Sequence, residues 1–136
     1  MKKQREISAA LLGIVVALIL WITIFGREAQ AGGVLFYKPF HNLGNLLRDI
    51  QRGGIRGNFI GNILLFMPVG LLVPLMTGWK KRTITAGAIL SLLIEIIQLA
   101  SHKGVFDPDD IILNCLGTVI GYGIYRAAVK LWKRCS

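Results

Sequence analysis

The sequence predicts an all-α integral membrane protein, a bundle of four transmembrane helices with a short amphipathic interfacial helix in the first outer loop. Three observations predict it. Of the 136 residues 54% are hydrophobic, and the mean hydropathy is +0.59, high for a soluble domain. The apolar residues fall into four runs, each long enough to cross a hydrocarbon core about 30 Å thick at about 1.5 Å per residue. The basic residues gather beside those runs, where bilayer topology and anionic headgroups account for them. The net charge of +9, from sixteen Lys and Arg against seven Asp and Glu, therefore points to a lipid bilayer and away from nucleic acid. One domain, 1–136, is expected at this length.

The first span is Ile7 to Gly26, preceded by Lys2, Lys3 and Arg5. Ala29-Gln30-Ala31 before Gly32 has the pattern of a signal-peptide cleavage site. The apolar run exceeds a signal core of about 7–15 residues, so a retained helix is the expectation. In the connection that follows, Leu43, Leu46, Leu47 and Ile50 recur at i, i+3, i+4 and i+7. Residues 42–52 thus read as an amphipathic helix, with Arg48, Asp49, Gln51 and Arg52 on its polar side. Anchoring in the interface is the simpler use of such a helix, and a lid that places arginines over a site is the sharper one.

The second span, 58–79, begins with Asn58 and Asn62 on one face and contains Pro68 and Pro74. Each proline removes a backbone donor and favours a kink. After the basic turn Lys80-Lys81-Arg82 comes the third span, 83–101. Ser91, Glu95, Gln98 and His102 share one of its faces. A carboxylate at membrane depth costs at least a few kcal/mol on insertion scales and faces protein or water, which makes Glu95 the leading functional candidate. The fourth span, 110–129, carries Asp110, Asn114, Gly117, Gly121 and Tyr125 on one face. Gly117 and Gly121 form a small-xxx-small pair suited to close helix approach, so this face is expected to turn inward.

With both termini in the cytoplasm, ten basic residues lie inside and six outside, in accord with the positive-inside rule. Asn58, Asn62, Glu95, Gln98, Asp110 and Asn114 then share the outer half of the bilayer, and the inner half is nearly all apolar. The expected result is one polar cavity open to the cell exterior. A hydrogen-bond network that merely holds the helices together is the alternative for the amides. His102 reads as a wet loop residue. Cys115 and Cys135 are too far apart to pair, about 30 Å along one helix.

The motifs resemble those of the VanZ-like family of bacterial membrane proteins. Asn58, Asn62, Phe66, Pro68 and Gly70 resemble its second helix, and Glu95-x2-Gln98 its next one. Val105 to Gly121, with Asp107, Asp110, Asn114, Gly117 and Gly121, is close to its final signature, and Phe36 to Phe40 resembles an element before its amphipathic loop. The resemblance implies a polytopic protein of the bacterial plasma membrane, in a family typified by a member that lowers teicoplanin susceptibility. Many members carry an Arg just before the final Phe-Asp, where this chain has Lys103-Gly104-Val105. Lys103 keeps a charge there without the planar fork that Arg offers to anions.

Three functions fit these residues. A non-enzymatic envelope protein would bind a lipid-linked cell-wall precursor or a lipoglycopeptide through Asn58, Asn62, Glu95, Gln98, Lys103, Asp107, Asp110 and Asn114. An enzyme acting on an outer-leaflet lipid would use Glu95 and Asp110 as acid and base. A small transporter would carry protons on Glu95, although four spans without an internal repeat disfavour it. The sequence has neither a zinc-type His/Cys cluster nor an activated Ser or Cys pattern, so no cofactor is expected and binding is favoured over catalysis.

Overall fold

The computed structural model describes residues 2–25, 57–78, 82–101 and 106–135. They form four helices: α1 (Lys2–Phe25), α2 (Gly57–Thr77), α3 (Thr83–Ala100) and α4 (Pro108–Cys135). All four are long and apolar enough to cross a membrane. The predicted amphipathic segment 42–52 lies outside the described residues, as do His102, Lys103 and the Asn58 side chain.

Burial is arranged in the reverse of a water-soluble bundle. On α3 the buried residues are Thr83, Gly87, Ser91, Ile94, Glu95 and Gln98, whereas Ile84, Ile89, Leu92, Leu93, Ile96 and Ile97 are exposed. On α1 an exposed stripe of Ile7, Leu11, Ile14, Leu18 and Trp21 follows helical spacing. A soluble protein rarely leaves such continuous apolar faces open, and hydrocarbon is the solvent that suits them. Away from Glu95 the bundle also buries hydroxyls. Thr83, at the start of α3, and Thr118, mid-way along α4, are both fully buried. A hydroxyl can bond a carbonyl of its own helix, as Thr118 Oγ1 does to the Asn114 carbonyl at 3.0 Å, so it needs no external partner.

The tightest seam joins α2 to α4, which run in the same direction. A Cβ built on Gly121 would strike the Met67 carbonyl oxygen, one on Gly117 the Ile63 carbonyl, and one on Gly70 the Thr118 carbonyl. The small-xxx-small pair thus lets two backbones touch, and glycine is the residue that permits it. On the other side of α4, Gly87 of α3 leaves room for the Thr118 side chain.

Helix ends follow local chemistry. α2 continues through Pro68 and Pro74 and stops at Thr77, two residues before the expected end. Gly78 adopts φ 73°, and its N–H bonds the Pro74 carbonyl at 3.0 Å, a left-handed glycine stop. α4 begins at Pro108, two residues earlier than the sequence suggested. Asp107 Oδ1 accepts the Asp109 N–H at 2.9 Å, so Asp107 caps the helix and Pro108 occupies the first position, where no N–H is needed.

Candidate polar site at one end of the bundle

The apolar core sets the floor of the site. Ile19 of α1, Phe66 and Val69 of α2, and Ile94 of α3 pack together, each exposed by 2% or less. One helical turn from this layer, toward the C-terminal ends of α1 and α3 and the N-terminal end of α2, lie Thr23, Gln98 and Asn62. Sequence spacing thus converts an apolar layer into a polar one directly above it. The Gln98 Nε2 donor reaches the Thr23 carbonyl at 3.4 Å, tying α3 to α1. The Thr23 hydroxyl is occupied with its own helix, at 2.7 Å from the Ile19 carbonyl.

On the α4 side the contacts are more numerous. Glu95, 1% exposed, accepts the backbone N–H of Asp107 on Oε2 at 3.0 Å. This bond fixes the residue that caps α4, so one buried carboxylate sets both the end of the α3–α4 connection and the entry of α4. The Asp110 N–H bonds the Asp107 carbonyl at 3.1 Å, and Asp109 and Asp110 are buried in the first turn of α4. Carboxylates there suit the positive end of the helix dipole. One turn deeper, Asn114 Nδ2 donates to Ser91 Oγ at 2.9 Å between α4 and α3.

The structure therefore brings Glu95, Gln98, Asp107, Asp110 and Asn62 toward one end of the bundle, while Asn114, bonded to Ser91 at the middle of α3, lies deeper. Two features were not in the sequence reading. Asp107, expected as a ligand contact, also caps α4 and is held by Glu95. Thr23, which the sequence reading passed over, contributes through its backbone carbonyl, and no side-chain pattern marks such a partner. Asp109 was likewise passed over, although Asp-Pro-Asp-Asp is a readable helix start.

Among the described residues, three buried atoms have no hydrogen-bond partner: Asn62 Nδ2, Gln98 Oε1 and Asn114 Oδ1. Each belongs to a residue no more than 9% exposed. Buried polar groups are ordinarily satisfied, so each of these atoms marks a place where a further partner is expected. Among the described residues no group of three or more His, Cys, Asp or Glu is arranged to hold a metal ion.

A protein-family model described as VanZ/LLP1 matches residues 10–131. The protein VanZ of Enterococcus faecium is 28% identical over 130 residues, which cover 93% of this chain and 78% of that protein. No solved structure matches the chain.

Proposed function

This chain belongs to the VanZ/LLP1 family, and on that premise we propose that it is a cell-envelope membrane protein whose polar end opens to the outer face, binds an envelope lipid or lipid-linked wall precursor, and lowers susceptibility to teicoplanin. The observation that carries the reading is the placing of Glu95, Gln98, Asp110 and Asn62, carboxylates and amides, on the buried faces of three helices beside one apolar core. Amides alone could join the helices at lower insertion cost, and a carboxylate buried to 1% exposure is more than adhesion requires. The charge pattern supports the outward orientation. Among the described residues, Lys2, Lys3, Arg5, Arg82, Arg126, Lys130, Lys133 and Arg134 all lie at or toward the opposite end, the end that the positive-inside rule assigns to the cytoplasm. Teicoplanin carries an acyl chain, so a cavity in the outer leaflet is a sensible place to interfere with it or with its target.

The test is drug susceptibility in a sensitive Gram-positive host. Expression of the native chain is expected to raise the teicoplanin concentration needed for inhibition while leaving vancomycin, which has no acyl chain, unchanged. Glu95→Gln and Asp110→Asn, at equal membrane levels, are expected to return the host to its starting sensitivity. Equal protection by the variants would remove the polar end as the working site.

A further inference from the structure

The last part of α4 reaches well past the helices packed against it. Gly87 of α3 and Gly70 of α2 both lie against Thr118. Counted from those contacts, the start of α3 at Thr83 is level with Tyr122, and the end of α2 at Thr77 is level with Tyr125. Residues 126–135 of α4 therefore project about 15 Å beyond both neighbours. At that level Tyr122 and Tyr125 stack with ring centroids 6.1 Å apart, and such rings favour the membrane–water interface.

One row of residues on α4 crosses that boundary. On the membrane side, Ile112, Leu116, Val119 and Gly123 follow one another at steps of three or four residues, all exposed. A Cβ on Gly123 would meet nothing within 4 Å, so the row is open there. Past the boundary the same row continues as Arg126, Lys130 and Arg134, equally exposed. No carboxylate follows Asp110 on α4, and among the described residues at this end the one carboxylate is Glu6 of α1. A soluble acidic partner would meet the cations and leave the apolar half of the row unused. A second copy of the chain would bring like charges together. A phospholipid of net negative charge matches both halves in one molecule, with acyl chains along Leu116 and Val119 and its phosphate at Arg126 and Lys130. Long basic side chains reach such a headgroup while their stems lie along apolar surface, and cations just outside a span attract anionic lipid. We propose that this row of α4 binds an anionic glycerophospholipid of the leaflet at that end. The proposal depends on neither the ligand nor the orientation assigned to the polar end.

The experiment is lipid retention by the purified full chain, read by native mass spectrometry in an uncharged detergent. The two probes are dioleoyl phosphatidylglycerol and dioleoyl phosphatidylcholine, which share their chains and differ in net charge. The anionic lipid is expected to be held at least about tenfold more tightly. Arg126→Gln with Lys130→Gln is expected to bring the two lipids to within about twofold of each other. Lys2→Gln with Lys3→Gln removes the same charge from α1 at the same end, and is expected to leave the preference in place. Arg126→Lys with Lys130→Arg keeps the charges and is expected to keep retention. Gly123→Phe, which fills the open position between the two halves of the row, is expected to lower retention with every charge present.

Equal retention of the two lipids by the native chain would overturn the proposal and leave the cations to a soluble acidic partner. An equal fall in both double glutamine variants would replace the site with diffuse attraction, and would overturn it as well. Undiminished retention in Gly123→Phe would take the acyl chains off this row and remove the row as the site. Full displacement by glycerol 3-phosphate would show that the headgroup binds alone and overturn the lipid as the ligand.

Discussion

Replacing Gly121 with valine is expected to abolish the folded bundle, with protein lost from the membrane fraction and no cooperative unfolding in detergent. A Cβ at this position would collide with the Met67 carbonyl oxygen. Overpacking usually costs about 1–3 kcal/mol when side chains can shift. Here the obstacle is the backbone of a neighbouring helix, and Gly117 against Ile63 and Gly70 against Thr118 lock the same seam on either side. The cost is therefore expected at or above the top of that range. Gly121→Ala should destabilise in the same sense. Gly61→Ala and Gly123→Ala, where a Cβ would meet nothing within 4 Å, should be neutral or gain up to about 1 kcal/mol from helix propensity. Thermal unfolding of the four variants separates a close-packed seam from a general intolerance of substitution. Comparable losses at Gly61 and Gly121 would contradict the seam.

Glu95→Ala is expected to loosen the start of α4, and Glu95→Gln is not. The carboxylate accepts the Asp107 N–H, and removal of that acceptor leaves a part-buried donor unmet at a cost of about 1–3 kcal/mol. Gln keeps a carbonyl oxygen of the same reach, so the cap at Asp107 stays in place while the charge is lost. Amide hydrogen exchange over residues 106–110 measures this directly. Faster exchange in Glu95→Ala with native-like protection in Glu95→Gln is the expected pattern. Identical protection in both would mean that the Asp107 bond contributes nothing to holding the connection. The contrast also makes Glu95→Gln the suitable variant for functional work, since it separates charge from fold.

Much of this architecture was legible because hydrocarbon imposes simple rules. Each span needs a long apolar run, and the four runs of the sequence became α1 to α4. A carboxylate and amides at helical spacing must turn inward, and Ser91, Glu95 and Gln98 are all 1% exposed or less. The glycine pair on the face of Asn114 was readable for the same reason, since small residues mark close helix contact. Less legible were interactions that end on the backbone. Gln98 meets the Thr23 carbonyl and Glu95 meets the Asp107 N–H, and neither partner has a sequence signature. The cap at Asp107 did have one, in Asp107-Pro108 followed by two acidic residues. The acidity there was read for ligand contact, and the helix start in the same residues went unread. Thr83 and Gly87 extend the inward face of α3 to its far end, unremarked because single small residues carry little pattern.

The outward orientation proposed for the polar end is tested most directly by cysteine labelling in intact cells of a Gram-positive host. Cys115 would be replaced by serine. Labelling with a membrane-impermeant maleimide would then be compared between the exposed native Cys135 and a Phe106→Cys variant that also carries Cys135→Ser. Phe106 precedes the cap of α4 at the polar end, and Cys135 closes the other. The account predicts that position 106 reacts in intact cells and that Cys135 reacts only after lysis. Labelling of Cys135 in intact cells, with position 106 protected until lysis, would place the polar end in the cytoplasm and contradict the account.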